Sequence, residues 1–155
     1  MEAKYLFAGA GIIIVLIYAF GSGIWVSSSP GWYSSLNRPP WQPPSYVFGI
    51  IWPYNFIVLG IAAVTIAQRA STTATLIYCG FFALSVIFAL TWAFQFYRPH
   101  NLQAASIALA LTAILTLPMV VSAFRTSIPM GIALLPYQAW VAIAANLSYI
   151  YSKLN

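Results

Sequence analysis

Tyr137, Trp140, Ala144, Leu147 and Tyr151 recur at steps of three, four, three and four, the spacing that lays side chains along one face of an α-helix. Rings on that face flank a small residue, so a flat molecule could lie against the helix backbone between them. Trp52 and Phe56 stand one turn apart in the same manner, as do Phe88, Trp92 and Phe96. The chemistry such rings offer is stacking on a planar, apolar ligand. Rings at helical spacing also serve to pack helices together, and periodicity alone leaves both readings open. What favours a pocket is the segment from Ser27 to Ser45. Pro39, Pro40, Pro43 and Pro44 each fix φ, remove a donor and restrict the preceding residue, which predicts an extended, stiff backbone. A loop of this length in a chain with otherwise short connections is usually functional, and the reading here is a preformed lid over the aromatic faces.

Other chemistries lack their residues. Glu2 is the only acidic residue of the sequence, so no carboxylate lies in any apolar stretch. Proton-coupled pumps and small exporters depend on such acids, and so do paired-carboxylate catalysis and hard-metal binding. His100 is the only histidine; it stands near Arg98 in a short connection with no acid to orient it, which excludes a nucleophile-and-base arrangement. An axial haem ligand is conceivable there, but a polar loop residue is the simpler reading. No metal site is expected. Cys79 is the single cysteine, so it forms no intrachain disulfide and reads as a packing residue.

The elements that must position the rings follow from composition. Of 155 residues 62% are hydrophobic and 5% charged, against about a quarter charged in soluble domains. Crossing a bilayer takes roughly 20 apolar residues, and five such spans are expected, at about residues 5–26, 46–68, 74–97, 102–124 and 129–151. The chain therefore reads as an all-α integral membrane protein: one domain, a bundle of five transmembrane helices, with the lid loop, residues 27–45, between the first two. The first apolar run is longer than the 7–15 residues of a signal-peptide core and is read as a retained helix. Short connections predict that consecutive helices are antiparallel neighbours.

The net charge of +5 comes from basic residues scattered singly near span ends, which points to membrane anchoring and not to nucleic acid. Lys4, Arg69 and Arg125 fall on one side and Arg38, Arg98 and Lys153 on the other, so the charge bias leaves orientation open. Aromatic residues make up 17% of the chain, and Tyr5, Trp25 and Tyr151 are expected in the interfacial belt. Ala104, Ala108, Thr112 and Thr116 recur every four residues, a small-residue face that fits either an intramolecular helix contact or a dimer seam.

Two stretches carry a family likeness. WYSSLNRPPWQPPSYVFGIIW, residues 32–52, closely resembles the first-loop signature of the TspO/translocator protein family. Trp32, Tyr33, Leu36, Pro39, Trp41, Pro43, Pro44, Val47, Phe48 and Trp52 are in register with it. Arg38 stands at the family's lysine position and Tyr46 at its last loop tryptophan. LLPYQAWVAIAANLSYIY, residues 134–151, resembles the fifth-helix pattern through Pro136, Tyr137, Trp140, Ala144 and Leu147, with Ser148 where asparagine is common. Trp92 takes the place of a third-helix tryptophan, with Phe94 for the family's proline. Ala89 replaces an asparagine, which removes a polar contact that drugs would use.

The resemblance implies a five-helix bundle, commonly a homodimer, that binds porphyrin or haem, and in some members cholesterol or benzodiazepine-type drugs, beneath the first loop. Carried onto this sequence, the ligand site comprises Trp32 and Tyr33 of the lid, Trp52 and Phe56, Trp92, and Trp140 and Ala144. Arg38 is the lid's one charge and would pair with a porphyrin propionate or anchor a lipid headgroup; both readings stand. Porphyrin or haem would be ligand, not obligatory cofactor. The implied function is a receptor, sensor or carrier for tetrapyrroles in a bacterial envelope or organelle membrane, linked to stress response. The alternative is light-dependent porphyrin degradation, with Trp52 and Trp140 as the candidate catalytic residues. Leu147, Tyr149 and Lys153 also fit a loose sterol-contact pattern.

Overall fold

Acid-free runs of Ala, Leu, Ile and Val can satisfy their backbone in hydrocarbon only by bonding within the segment, which makes them helices. The computed structural model describes residues 2–155 and contains α1 (Glu2–Val26), α2 (Pro30–Ser35), α3 (Ser45–Arg69), α4 (Thr72–Tyr97), α5 (Leu102–Thr126) and α6 (Ile128–Leu154). All but α2 are long and apolar enough to cross a membrane. The five expected spans are these helices. Several run a few residues further than expected; at their starts Ser71 and Asn101 cap α4 and α5 by accepting from the Ala74 and Ala104 N–H groups, satisfying donors the first turn leaves free.

The lid departs from the expected extended backbone over Pro30–Ser35. Pro30 stands at the start of α2, where its fixed φ suits a first helical turn and its missing donor costs nothing. Extended backbone holds from Leu36 onward, interrupted by a turn in which the Gln42 N–H donates to the Pro39 carbonyl at 3.1 Å.

Around the bundle the order is α1, α4, α5, α6, α3, and α6 meets α3 to close the ring. One neighbour relation expected from the short connections is therefore weak. α3 and α4 are joined through Ala70 and Ser71, yet they touch sparsely because α1 packs against both. A two-residue connection fixes only the helix ends. Gly11 explains why α1 takes the place beside α3: a Cβ there would lie 2.5 Å from the Ala63 Cβ, so only glycine permits that approach. Lys4 donates to the Gln68 carbonyl at 2.9 Å, which sets the start of α1 beside the end of α3.

Two apolar clusters result. The larger fills the half nearer Lys4 with Leu59, Ile66, Tyr78, Phe82, Met119 and Leu134, and Cys79 packs against it as expected. The smaller joins Phe96, Tyr97, Leu147 and Tyr151 to the lid residues Trp32, Tyr33 and Leu36. The small-residue face of α5 is used inside the protomer: Ala108, Thr112 and Thr116 are buried, and the Thr112 hydroxyl reaches toward the Ser85 carbonyl of α4 at 3.4 Å. Three of its four residues are thereby taken up inside the protomer, while Ala104 is half-buried.

Candidate functional site

Between the two clusters lies a cavity of about 800 Å³, walled by α1, α3, α4 and α6 and covered by the lid. Pro53 and Pro136 sit inside two of the helices that line it, α3 and α6; each lacks an N–H and so leaves a carbonyl of the preceding turn unbonded. On α3, Trp52 stacks on Phe56 with centroids 5.7 Å apart. Tyr18 of α1 meets both, at 6.1 Å and 5.3 Å. On α6, Trp140 takes the edge of Phe48 at 5.0 Å, and Ala144 leaves the wall low one turn further on.

Seven of the eight residues expected at the site line this cavity: Tyr33, Arg38, Trp52, Phe56, Trp92, Trp140 and Ala144. Trp32 does not. Its indole lies flat on the His100 imidazole, 3.6 Å away and 6° from parallel, and packs on Phe96 and Tyr97, outside the lining. Trp32 thus fastens α2 to the end of α4. The same stack holds His100, at φ 58, away from the cavity, so it is not placed to ligate a haem iron there.

Tyr151, expected in the interfacial belt, is instead buried and completes the α6 ring face that the spacing predicted. Leu147 also faces the cavity, whereas Tyr149 is exposed with Lys153 over its ring at 5.2 Å. The loose sterol pattern is therefore divided between two faces of α6. Phe88, the first ring of the α4 stripe, is outside the lining, while Ala89 is within it.

Sequence reasoning missed the wall that α1 supplies through Tyr18, Ala19, Ser22 and Gly23. A signal was present: Gly11, Val15, Tyr18 and Ser22 recur at helical spacing, and the first three are the buried residues of an otherwise lipid-facing helix. It also missed Gln42, the polar centre of the roof. Gln42 accepts from the Tyr151 hydroxyl through Oε1 and its Nε2 donates to the Tyr33 oxygen at 3.4 Å. Arg38 lies 5.6 Å over the Tyr33 ring and faces no acid, since Glu2 is the only one in the chain. The cavity is thus apolar at depth and cationic at its roof. The Trp92 and Trp140 indole N–H groups and the Ser148 hydroxyl, all of cavity-lining residues, find no partner among the described residues.

A latch beyond the cavity holds the lid shut. The Asn37 N–H donates to Asn155 Oδ1 at 2.9 Å, and Asn155 Nδ2 donates back to the Asn37 carbonyl at 3.1 Å. Asn37 Nδ2 also reaches the Leu154 carbonyl at 3.3 Å.

The pattern of the TspO/MBR family matches residues 10–153. A Bacillus subtilis membrane protein, YtaB, is 30% identical over 151 residues, covering 95% of this chain and 96% of that protein. The tryptophan-rich protein TspO of Chlorobaculum tepidum is 25% identical over 157 residues, covering 100% and 99%. The translocator protein of Ovis aries is 28% identical over 120 residues, covering 76% and 71%.

Proposed function

Because this chain belongs to the TspO/MBR family and its five apolar helices make it a multi-pass integral membrane protein, we propose that it is a receptor or carrier for a porphyrin or haem. The observation that carries this reading is a cavity of about 800 Å³ with indole faces at depth and a single cation at the roof. That size lies within the roughly 300–1,000 Å³ of pockets that enclose drug-sized ligands. A tetrapyrrole is flat and apolar with acidic propionates at one edge. Its ring stacks among Trp52, Trp92 and Trp140, and its edge meets Arg38 in a charge-assisted pair. Homodimer assembly belongs to the same proposal, through a face other than Ala108, Thr112 and Thr116.

The test is a four-way titration in nanodiscs of neutral lipid, read by tryptophan quenching. Arg38→Gln weakens protoporphyrin binding by about 1.5–3 kcal/mol, the range of hydrogen bonds to charged groups. It leaves the dimethyl ester, which has no anionic edge, nearly unchanged. A coupling term of zero reduces Arg38 to a headgroup anchor, and absence of quenching by either porphyrin overturns the proposal.

A second reading is favoured by the indoles of Trp52 and Trp140, which line the same cavity and are oxidisable. Under it, a bound porphyrin is degraded in light. Illumination separates the two: a binder shifts the porphyrin spectrum, and a degrading protein bleaches it into new products.

A further inference from the structure

Phe56 lines a second space besides the cavity. It stands at one end of an apolar groove of about 430 Å³ along the seam of α1 and α3. Val15 and Gly60 are buried at its base, and Ile12, Leu16, Ile57 and Ile61 are its exposed walls. Those walls belong to membrane-spanning helices, so the groove opens to lipid.

The seam changes character along its length. At Gly11 a single methyl group would collide with Ala63 at 2.5 Å, so the helices are locked together there. One turn nearer the cavity the fit is looser: a Cβ on Gly60 would make only an ordinary contact, with the flexible end of Ile12 at 3.5 Å. At the next turn stands Phe56, half-buried, with the Tyr18 ring 5.3 Å from it, and beyond Phe56 the seam is the cavity itself. One phenyl ring therefore belongs to both spaces, and a change of its two side-chain torsions is a fast, local motion. The lid side is polar instead: exposed Ser34, Arg38 and Ser45 border the cavity there, and Gln42 and the Asn37–Asn155 pair are hydrogen-bonded above it.

We propose that the α1/α3 groove is the membrane-side portal of the cavity, through which an apolar, planar ligand dissolved in the bilayer passes behind Phe56. The inference rests on the proposed binding of such a ligand. It differs from that reading in predicting a rate, not an affinity. A molecule that partitions into lipid meets the groove without crossing water, and its approach to a polar lid would require leaving the membrane.

The test uses protoporphyrin dimethyl ester in proteoliposomes of neutral lipid, with relaxation after a small temperature jump read by tryptophan quenching. Gly60→Leu fills the base of the groove, and Ile61→Phe narrows it from the lipid face, where substitution does not disturb the core. Both slow relaxation by about tenfold, the change expected from a modestly raised barrier, while Kd stays at the wild-type value because binding and release share the obstacle. Wild-type relaxation rates in both variants overturn the portal while leaving the binding proposal intact. So does acceleration by Asn155→Ala alone, which would place the route through the lid. Failure of the wild type to bind the ester overturns the portal together with the reading beneath it.

Discussion

The half of the bundle near Lys4 and the half beneath the lid are built from similarly apolar helices, yet one is solid and the other is hollow. In the first half Leu59, Ile66, Phe82, Met119 and Leu134 are at 0% exposure. In the second half Trp52, Phe56, Trp92 and Ala144 are only half-buried, because α1 presents Ala19, Ser22 and Gly23 to them instead of interlocking chains. Hydrophobicity does not distinguish the halves; the matching of sizes does. Close-packed interiors lose dispersion contacts wherever a void opens, so the hollow half is less stabilised per residue and is held in shape by aromatic contacts and by hydrogen bonds at its roof. On this division the solid half carries the stability and the hollow half the proposed binding, and substitutions in each should separate the two quantities.

The largest effect is expected in the solid half. Gly11→Leu inserts a branched chain where the first added carbon already lies 2.5 Å from the rigid Ala63 Cβ. Overpacking of this kind costs about 3 kcal/mol, the upper part of its usual range, because neither backbone can yield without shifting α1. Thermal unfolding in nanodiscs should show a large drop in midpoint. A variant that unfolds like the wild type but has lost porphyrin affinity would mean that stability and binding are not divided between the halves.

A smaller effect is expected at the cavity wall. Trp140→Phe keeps a ring at the Phe48 edge and against the ligand, so affinity should fall by about 1 kcal/mol, the scale of one aromatic pair, with a smaller change in unfolding than Gly11→Leu gives. The same variant sharpens the chemistry. Phenylalanine is far harder to oxidise than indole, so if Trp140 reacts with an excited porphyrin, bleaching at saturating ligand collapses. Unchanged bleaching at saturation removes Trp140 as the reacting group.

How far the sequence disclosed this arrangement depends on the range of the forces involved. The five spans were legible because desolvation of backbone groups acts on each segment separately. The α6 ring face was legible because helical spacing is local, and Tyr137, Trp140, Ala144, Leu147 and Tyr151 do share one side. Trp32 was not, since the loop motif that contains it says nothing about which way α2 turns its indole; that is decided by His100, 68 residues away, in the stack at 3.6 Å. The position of α1 between α3 and α4 was hidden for a similar reason. It follows from Gly11 meeting Ala63, a fit between two small residues that only the assembled pair reveals. Gln42 went unnoticed because one amide between a tryptophan and a proline pair has no periodic partner, and its role exists only once Tyr33 and Tyr151 converge on it.

The smallest effect belongs to the latch, and it tests whether the hollow half owes its shape to its roof. Asn155→Ala removes the acceptor for the Asn37 N–H and the donor to the Asn37 carbonyl, leaving the bond from Asn37 to the Leu154 carbonyl. Both residues are exposed, so water replaces what is lost, and each bond contributes about 0.5–1.5 kcal/mol at most. Global unfolding should barely move, because the solid half sets it. Local opening should respond: hydrogen exchange of the amides from Leu36 to Gln42 should quicken several-fold, while those of α5 keep their protection. Equal acceleration in lid and α5 would mean that the two halves unfold as one unit, and the division of labour between them would fail. Acceleration confined to the lid, with porphyrin affinity close to wild type, would show that rings at depth hold the ligand and that the latch only orders the loop above it.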